Sequence, residues 1–311
     1  MKPKIFIDGD SGTTGLGIQD RLAGRRDLEI IALPHAQRKD LAAKQQILSQ
    51  VDLAILCLPD DAAKETVALC DALGTKAPRI LDASTAHRTA PNWVYGFPEL
   101  CANHSQTIAS AQRVANVGCY ATGAIALLRP LIDAQLLPPS YPLAINAVSG
   151  YSGGGRQMIE SYEKGASPAF ELYSLSQQHK HIPEIMAYAR LEKPPIFAPS
   201  VGNFRQGMLV SIPLALEALP GKITARDLQE TYKHHYDQCS HVRWATAPTN
   251  GRIDALALNN SDDMELFVFS NDALRQIILV ARLDNLGKGA SGAAVQNLNL
   301  MLDRKSTRLN S

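Results

Sequence analysis

The sequence predicts an α/β protein in two parts, a doubly wound, mostly parallel sheet followed by an α+β domain with a mainly antiparallel sheet. Three observations carry this expectation. A β-rich run, Lys4-Ile5-Phe6-Ile7-Asp8, passes through a glycine turn into a helical run at the start of the chain. Short apolar, strand-like runs then alternate with helical ones, the pattern of parallel strands with crossover helices. Beyond residue 119 several strand-like runs follow one another with fewer helices between them.

The first turn is Gly9-Asp10-Ser11-Gly12-Thr13-Thr14-Gly15, spaced G-x-x-G-x-x-G rather than G-x-G-x-x-G. Small residues there let backbone N–H groups approach a pyrophosphate at a helix N-terminus. Gly9, Ser11, Gly12, Thr13, Thr14 and Gly15 are therefore candidate dinucleotide contacts. A second strand over residues 28–33 runs into Pro34-His35-Ala36-Gln37-Arg38-Lys39, where an NAD site would place an acidic residue on the ribose. Cations suit a 2′-phosphate instead, so NADP(H) is the expected cofactor. Arg38 is its expected phosphate contact, because a guanidinium fork matches a phosphate; the competing reading is a solvated surface pair.

Residues 41–50 read as a helix and 52–58 as a buried strand. Pro59-Asp60-Asp61 opens a helix that reaches Leu73-Gly74, and a strand over 79–84 runs into Thr85-Ala86-His87-Arg88. Ligands of such a sheet lie beyond the carboxyl ends of its strands, which brings Ser84 and Arg88 among the candidates. Cys57 and Cys70 fall within a strand and a helix and read as core thiols.

Val117-Gly118-Cys119-Tyr120-Ala121-Thr122-Gly123 puts a cysteine where a long apolar helix begins. A thiol in the first turn of a helix feels the partial positive charge of unpaired N–H groups, which favours the nucleophilic thiolate. The alternative is an inert thiol packed as a small hydrophobe. The helix is expected to end at Pro138-Pro139, and a strand to follow over 142–148. Ser149-Gly150-Tyr151-Ser152-Gly153-Gly154-Gly155-Arg156 reads as an irregular glycine loop that approaches a ligand. In Gln178-His179-Lys180-His181-Ile182-Pro183-Glu184-Ile185 the paired histidines lack a further ligand set, so no metal is assigned. One of them is better motivated as a proton partner for Cys119.

His234 and His235 sit in an amphipathic helix over 224–236 and read as surface or packing residues. Further strands are expected over 207–216, 253–258, 264–269 and 276–284. The run from Asp284 to Asn299 turns on glycines and becomes a helix of small residues.

A net charge of +1 argues against nucleic acid or an anionic membrane as partner. Five widely spaced cysteines form neither a disulfide framework nor a zinc cluster. With no leader-like segment after Met1 and no bilayer-length apolar run, a cytoplasmic protein is expected. Residues 303–311 break the preceding helical pattern and resemble the translation of a sequencing-library adapter, so they are not expected to belong to the native fold.

Taken in order, these motifs resemble the short form of the N-acetyl-γ-glutamyl-phosphate reductases, over the chain to about residue 302. They are the early glycine turn, Val-Gly-Cys-Tyr-Ala-Thr-Gly, Ser-Gly-Tyr-Ser-Gly-Gly-Gly-Arg, His-x-His-x-Pro-Glu-Ile and Asp-Asn-Leu-Gly-Lys-Gly-Ala-Ser-Gly. The resemblance implies NADPH-dependent reduction of an acyl phosphate to N-acetylglutamate 5-semialdehyde, the third step of arginine biosynthesis, by a homodimer or homotetramer. It implies an NADP-binding domain over 1–118, a catalytic, substrate and oligomerisation domain over 119–285, and a helix over 286–302 that packs back on the first.

Cys119 matches the thioester-forming nucleophile and His181 the acid/base histidine, with His179 the lesser candidate. Ser84, Ser152, Gly153 and Asn285 complete the expected cofactor set. Asn116 is the expected oxyanion donor and Ser149 a further substrate contact. Arg88, Arg113, Arg156 and Arg205 are candidates for the substrate's anionic groups. The family's longer form commonly has an acidic residue where His87 precedes Arg88, so the resemblance assigns no role to His87. Competing readings are an aspartate-semialdehyde dehydrogenase, a reductase of carrier-linked acyl phosphates, and a non-catalytic NADP-binding regulator. The first typically has Asn directly before its cysteine, where Gly118 stands here.

Overall fold

A computed structural model describes residues 2–302 and divides them into two compact units. The expected adapter tail, 303–311, lies outside the described residues.

Of the described residues, the first unit comprises 2–98, Asn103–Val117, and 290–302. Its strands and helices alternate as β1 (Lys4–Asp8), α1 (Thr13–Leu22), β2 (Glu29–Ile31), α2 (Leu41–Leu48), β3 (Leu53–Leu56), α3 (Asp60–Ala72) and β4 (Arg79–Asp82). Then come β5 (Val94–Gly96), α4 (His104–Ser110) and β6 (Arg113–Asn116). A final helix, Gly292–Met301, ninth in chain order, belongs to the same unit. The six strands lie in the order β2-β1-β3-β4-β6-β5, and every pairing is parallel.

Alternation of side chains along the strands builds two cores. Ile5, Ile7, Leu53 and Ile55 pack with Ile18 of α1 and Leu298 of the final helix. Phe6, Ala54 and Leu56 face the other way, against Ile47 of α2 and Val67 of α3. Strands buried on both faces have to be apolar throughout, which is why β3 reads Leu-Ala-Ile-Leu. The order reverses at β1, whose neighbours are β2 and β3, so the glycine turn after β1 stands at the topological switch point.

The second unit holds Glu99–Ala102 and Gly118–Gly289. Its elements are α5 (Cys119–Asp133), β7 (Ala144–Gly150), α6 (Gly155–Glu163), β8 (Phe170–Leu172), α7 (His181–Ala189), β9 (Ile196–Gly202) and β10 (Met208–Ala215). They continue through α8 (Ala225–Tyr236), β11 (Val242–Trp244), β12 (Met264–Asn271) and β13 (Gln276–Leu283). The seven strands run in the order β11-β12-β13-β10-β7-β9-β8. Only β11–β12 and β7–β9 are parallel, so the sheet is mixed and mainly antiparallel.

Helix α5 is the buried axis of this unit, with every residue from Tyr120 to Ile132 out of solvent. It lies against β10 and β13, and Gly123 sets how close: a Cβ there would stand 2.8 Å from Val210 Cγ2. Helix α5 also contains Pro130, which supplies no N–H to the carbonyl of Ala126.

The structure alters three local expectations. Residues 253–258 form no strand, and 255–258 are turn, because the Asn250 and Asp254 carboxamide and carboxylate oxygens accept from the N–H groups of Arg252 and Leu256. Strand β7 runs on through Ser149 and Gly150, since Ser149 stays in register with Met208 and the Gly150 N–H donates to the Gly207 carbonyl at 2.9 Å. The glycine run after it coils into a 3-10 turn over Tyr151–Gly154 and then α6. Among the described residues, no helix is long and apolar enough to cross a membrane.

Candidate active site

In the first unit, glycine is forced at two positions of the turn between β1 and α1. Gly9 has φ +86°, and a Cβ on it would lie 2.3 Å from the Cys57 carbonyl oxygen. A Cβ on Gly15 would lie 2.4 Å from the Gly9 carbonyl oxygen. The turn is thus compressed against β3 below and α1 above. No side chain caps α1, so its first-turn N–H groups are left to a ligand.

Beside the turn opens a cavity of about 420 Å³, lined among others by Gly9, Asp10, Ser11, Arg38, Lys39 and Lys44. Arg38 reaches it through an ion pair with Asp10 at 2.9 Å, and Gln19 holds the same carboxylate oxygen. Lys44, unremarked in the sequence, is buried on the inner face of α2 in a 2.7 Å ion pair with Asp8, which also accepts from the Thr66 hydroxyl. Its signal was its helical spacing with Ile47 and Leu48. Glycines in close contact, an uncapped helix and basic side chains suit a dinucleotide with a 2′-phosphate.

In the second unit, Gly118 is the N-cap residue of α5 and Cys119 its first helical residue. The Gly118 carbonyl accepts from both the N–H and the hydroxyl of Thr122, at 2.8 and 2.9 Å. The Gly118 N–H donates at 2.7 Å to Oε1 of Glu184, a buried carboxylate on α7. Gly289 presses on the cysteine from another side: a Cβ on it would be 2.8 Å from that of Cys119. Cys119 is partly exposed, whereas Tyr120 behind it is buried. Burial pushes the Cys57 thiol up to about 12, and those of Cys70 and Cys239 to about 11.

The Tyr120 ring lies edge-on to His179, His181 and Phe197, with centroids 5.9, 5.8 and 5.6 Å away. The backbone N–H of His181 donates to His179 Nδ1 at 3.1 Å, so Nδ1 of His179 is an acceptor. Its Nε2 lies 3.4 Å from the Tyr173 hydroxyl. His179 is thereby a brace in one tautomer, and His181 opens α7 in its first turn. Burial holds the Tyr173 hydroxyl well above the usual phenol range, with Cys119 adding to the rise and the hydrogen bond with Tyr120 opposing it.

The semialdehyde dehydrogenase NAD binding domain family matches residues 7–108, and the semialdehyde dehydrogenase dimerisation domain family matches 119–285. An N-acetyl-gamma-glutamyl-phosphate reductase from Burkholderia lata is 51% identical over 307 residues, covering 97% of this chain and 96% of the relative. N-acetyl-gamma-glutamyl-phosphate reductase 2 from Pseudomonas putida is 52% identical over 306 residues, covering 96% and 97%. The chain belongs to the N-acetyl-gamma-glutamyl-phosphate reductase family. Among solved structures, aspartate semialdehyde dehydrogenase II from Vibrio cholerae, complexed with ASA, shares the fold with TM-score 0.70 at 16% identity, covering 98% of this chain and 100% of that one. Aspartate semialdehyde dehydrogenase with NADP from Candida albicans gives 0.67 at 12%, covering 97% and 99%.

For a member of the N-acetyl-gamma-glutamyl-phosphate reductase family, the remaining candidates sort by what their side chains touch. Asp82, at the end of β4, accepts from Ser84 Oγ at 2.7 Å and lies 2.6 Å from His87 Nδ1. His87 also stacks on Trp93 at 4.2 Å, which gives it a structural role. Arg88 Nε donates to the Asn116 carbonyl at 3.0 Å, at the end of β6.

Asn116, the expected oxyanion donor, is anchored in the scaffold. Its Nδ2 donates to Ala290 O and its Oδ1 accepts from Asn297, all within the first unit. Arg113 starts β6, at the opposite end from the strand termini that carry ligands, and pairs with Asp71. Ser149, Ser152 and Asn285 are buried and build the glycine loop itself. Asn285 donates to Ser152 Oγ at 2.9 Å and accepts from the Gly207 N–H at 2.9 Å, while the Ser149 hydroxyl donates to Gly150 O. Gly153 is the small residue over Ser149, where a Cβ would be 2.8 Å from Oγ. Arg156 and Arg205 lie exposed in ion pairs with Glu160 and Glu163, at 2.9 and 3.0 Å. Exposed pairs of this kind cost little to exchange for a substrate anion.

Proposed function

We propose that the chain reduces N-acetyl-γ-glutamyl phosphate to N-acetylglutamate 5-semialdehyde and phosphate with NADPH, a step of arginine biosynthesis, through a thioester on Cys119. The observation that carries this reading is Cys119 in the first turn of the 15-residue helix α5, with the His179–His181 segment packed on the adjoining Tyr120. The helix end favours the thiolate. Its sulfur attacks the acyl carbon, a C–S bond forms, and the C–O bond to phosphate breaks. Bound NADPH supplies a hydride for the acyl carbon. The hemithioacetal then releases the aldehyde as the C–S bond breaks, with His181 moving the proton on or off oxygen and sulfur. The turn of Gly9, Ser11, Gly12, Thr13, Thr14 and Gly15 would hold the pyrophosphate, and Arg38 the 2′-phosphate. Arg88, Arg156 and Arg205 remain the candidates for the substrate's phosphate and carboxylate.

The reverse reaction tests this. Phosphate-dependent NADP⁺ reduction with N-acetylglutamate semialdehyde should exceed that with aspartate semialdehyde, and that with NAD⁺. Faster turnover of aspartate semialdehyde would reassign the substrate, and a preference for NAD⁺ would remove Arg38 from its role.

A homodimer or homotetramer in the cytoplasm fits the same reading. Support for self-association comes from the match of 119–285 to a dimerisation domain and from exposed apolar Phe170, Leu172 and Ile278 on the second unit's sheet. Light scattering on the eluted protein would give the state.

A further inference from the structure

Helix α7 carries two groups three residues apart that meet the nucleophile's helix at different points. His181 lies against the Tyr120 ring. Glu184, 1% exposed, accepts from the N–H of Gly118 at 2.7 Å, one residue before Cys119. A buried carboxylate is costly to desolvate and needs a compensating partner. A backbone N–H at a helix start is such a partner, because the helix end carries partial positive charge. We propose that Glu184 is a positioning residue for Cys119: it clamps the turn that presents the thiol to the helix that presents the histidine, and its negative charge restrains thiolate formation. The proposal rests on the thioester reading above and adds a residue to it.

Two consequences follow from the geometry. The clamp joins backbone to side chain, so a change at Glu184 moves the Cys119 turn relative to α7 without touching either reacting group. The carboxylate also shares the α5 amino end with the thiolate, and like charges there oppose one another. Cys119 is faced by Tyr120 from its own helix, by Tyr173 from the segment after β8, and by the Gly289 turn, whose Lys288 is held in a 2.8 Å ion pair with Glu99; the His179–His181 segment meets the helix at the Tyr120 ring. Glu184 is faced on its own helix by Tyr188, whose phenol burial and then Glu184 push up to about 12. Among these groups Glu184 is the carboxylate bound directly to the nucleophile's turn.

The experiment compares the full-length wild type, Glu184→Gln and Glu184→Ala. It records kcat, KM, circular dichroism, and the pH midpoint of Cys119 alkylation by iodoacetamide, read on the Cys119 peptide by mass spectrometry. Glutamine keeps an acceptor for the Gly118 N–H and loses the charge, so the midpoint should fall by about one pH unit. Alanine loses the acceptor, so kcat should fall about tenfold or more with KM little changed, and glutamine should recover most of that loss relative to alanine. A Glu184→Gln midpoint within about 0.2 unit of wild type would overturn the proposal. So would a Glu184→Ala kcat within about twofold of wild type. If the alanine variant does not fold, the glutamine midpoint decides. Alkylation needs no substrate, so an inactive wild type would sink the proposed reaction while leaving this test intact.

Discussion

The Tyr236 hydroxyl donates at 2.9 Å to the carbonyl oxygen of Ala126, the helical acceptor to which Pro130 offers no N–H. Tyr232 donates at 2.6 Å to the adjoining carbonyl of Leu127, so α8 docks on the buried helix α5 where the proline leaves its defect and Tyr236 fills it. An unsatisfied buried carbonyl costs about 1–3 kcal/mol. Tyr236→Phe should therefore destabilise the protein by about that amount in urea unfolding. In a Pro130→Ala background, where residue 130 regains its N–H, the same change should cost clearly less. Equal losses in both backgrounds would show that the hydroxyl does not serve the proline gap.

Thiol reactivity should single out Cys119. Burial raises the thiols of Cys57, Cys70 and Cys239 to about 12, 11 and 11, so at pH 8 they are almost wholly protonated. Brief treatment with iodoacetamide at pH 8, followed by peptide mass spectrometry, should label Cys119 well ahead of those three. Labelling should abolish reductase activity while NADP⁺ still binds. Labelling of Cys57 or Cys70 at a comparable rate would contradict the burial argument.

At the nucleotide turn, Gly15→Ala would place a methyl group 2.4 Å from the Gly9 carbonyl oxygen, so the turn has to open. The dissociation constant for NADP⁺ should rise about tenfold or more in a calorimetric titration, equivalent to ~1.4 kcal/mol. Gly24→Ala is the control for a generic glycine effect, because a Cβ there meets nothing within 4 Å although its φ is +82°. If Gly24→Ala weakens NADP⁺ binding as much as Gly15→Ala, the close-approach explanation is wrong.

His235 supplies a pH dependence of stability. Burial lowers its pKa below the ordinary imidazole value, against the opposing pull of its contact with the Glu99 carbonyl at 3.1 Å. The unfolded chain therefore takes up the proton first as pH falls below about 6.5. The stability associated with neutral His235 is present above that pH and is lost below it, until the lowered folded value is passed. Tm should fall between pH 7 and pH 5, and the fall should be shallower in His235→Gln, which keeps every carboxylate of the wild type. Parallel curves would mean that His235 does not titrate in this range.

Much of the first unit was legible because local chemistry and global fold agree there. Gly9, Gly12 and Gly15 follow an apolar run and open a helix, and no tertiary information is needed to see that such a turn brings backbone close to backbone. Cys119 was legible for a similar reason, since its place at the start of α5 is a local property. Strands β5 and β6 escaped notice, being three and four residues long and fixed only by ladders to β6 and to β4 that local pattern does not show. The expected strand over 253–258 failed because side chains of Asn250 and Asp254 captured the backbone N–H groups first.

What the sequence by itself determined is the order of elements, the glycine turn, the nucleophile's helix end and the family to which these motifs point. Tertiary structure decided which polar side chains are spent on the scaffold. The Asn116 amide is anchored by Ala290 and Asn297, more than 170 residues away. Glu184 looked like one letter of a motif until its carboxylate met the Gly118 N–H, 66 residues distant. A hydrogen-bonding group buried in the fold must find its partner wherever the chain brings one, and that pairing is a property of three-dimensional proximity that spacing along the sequence does not encode.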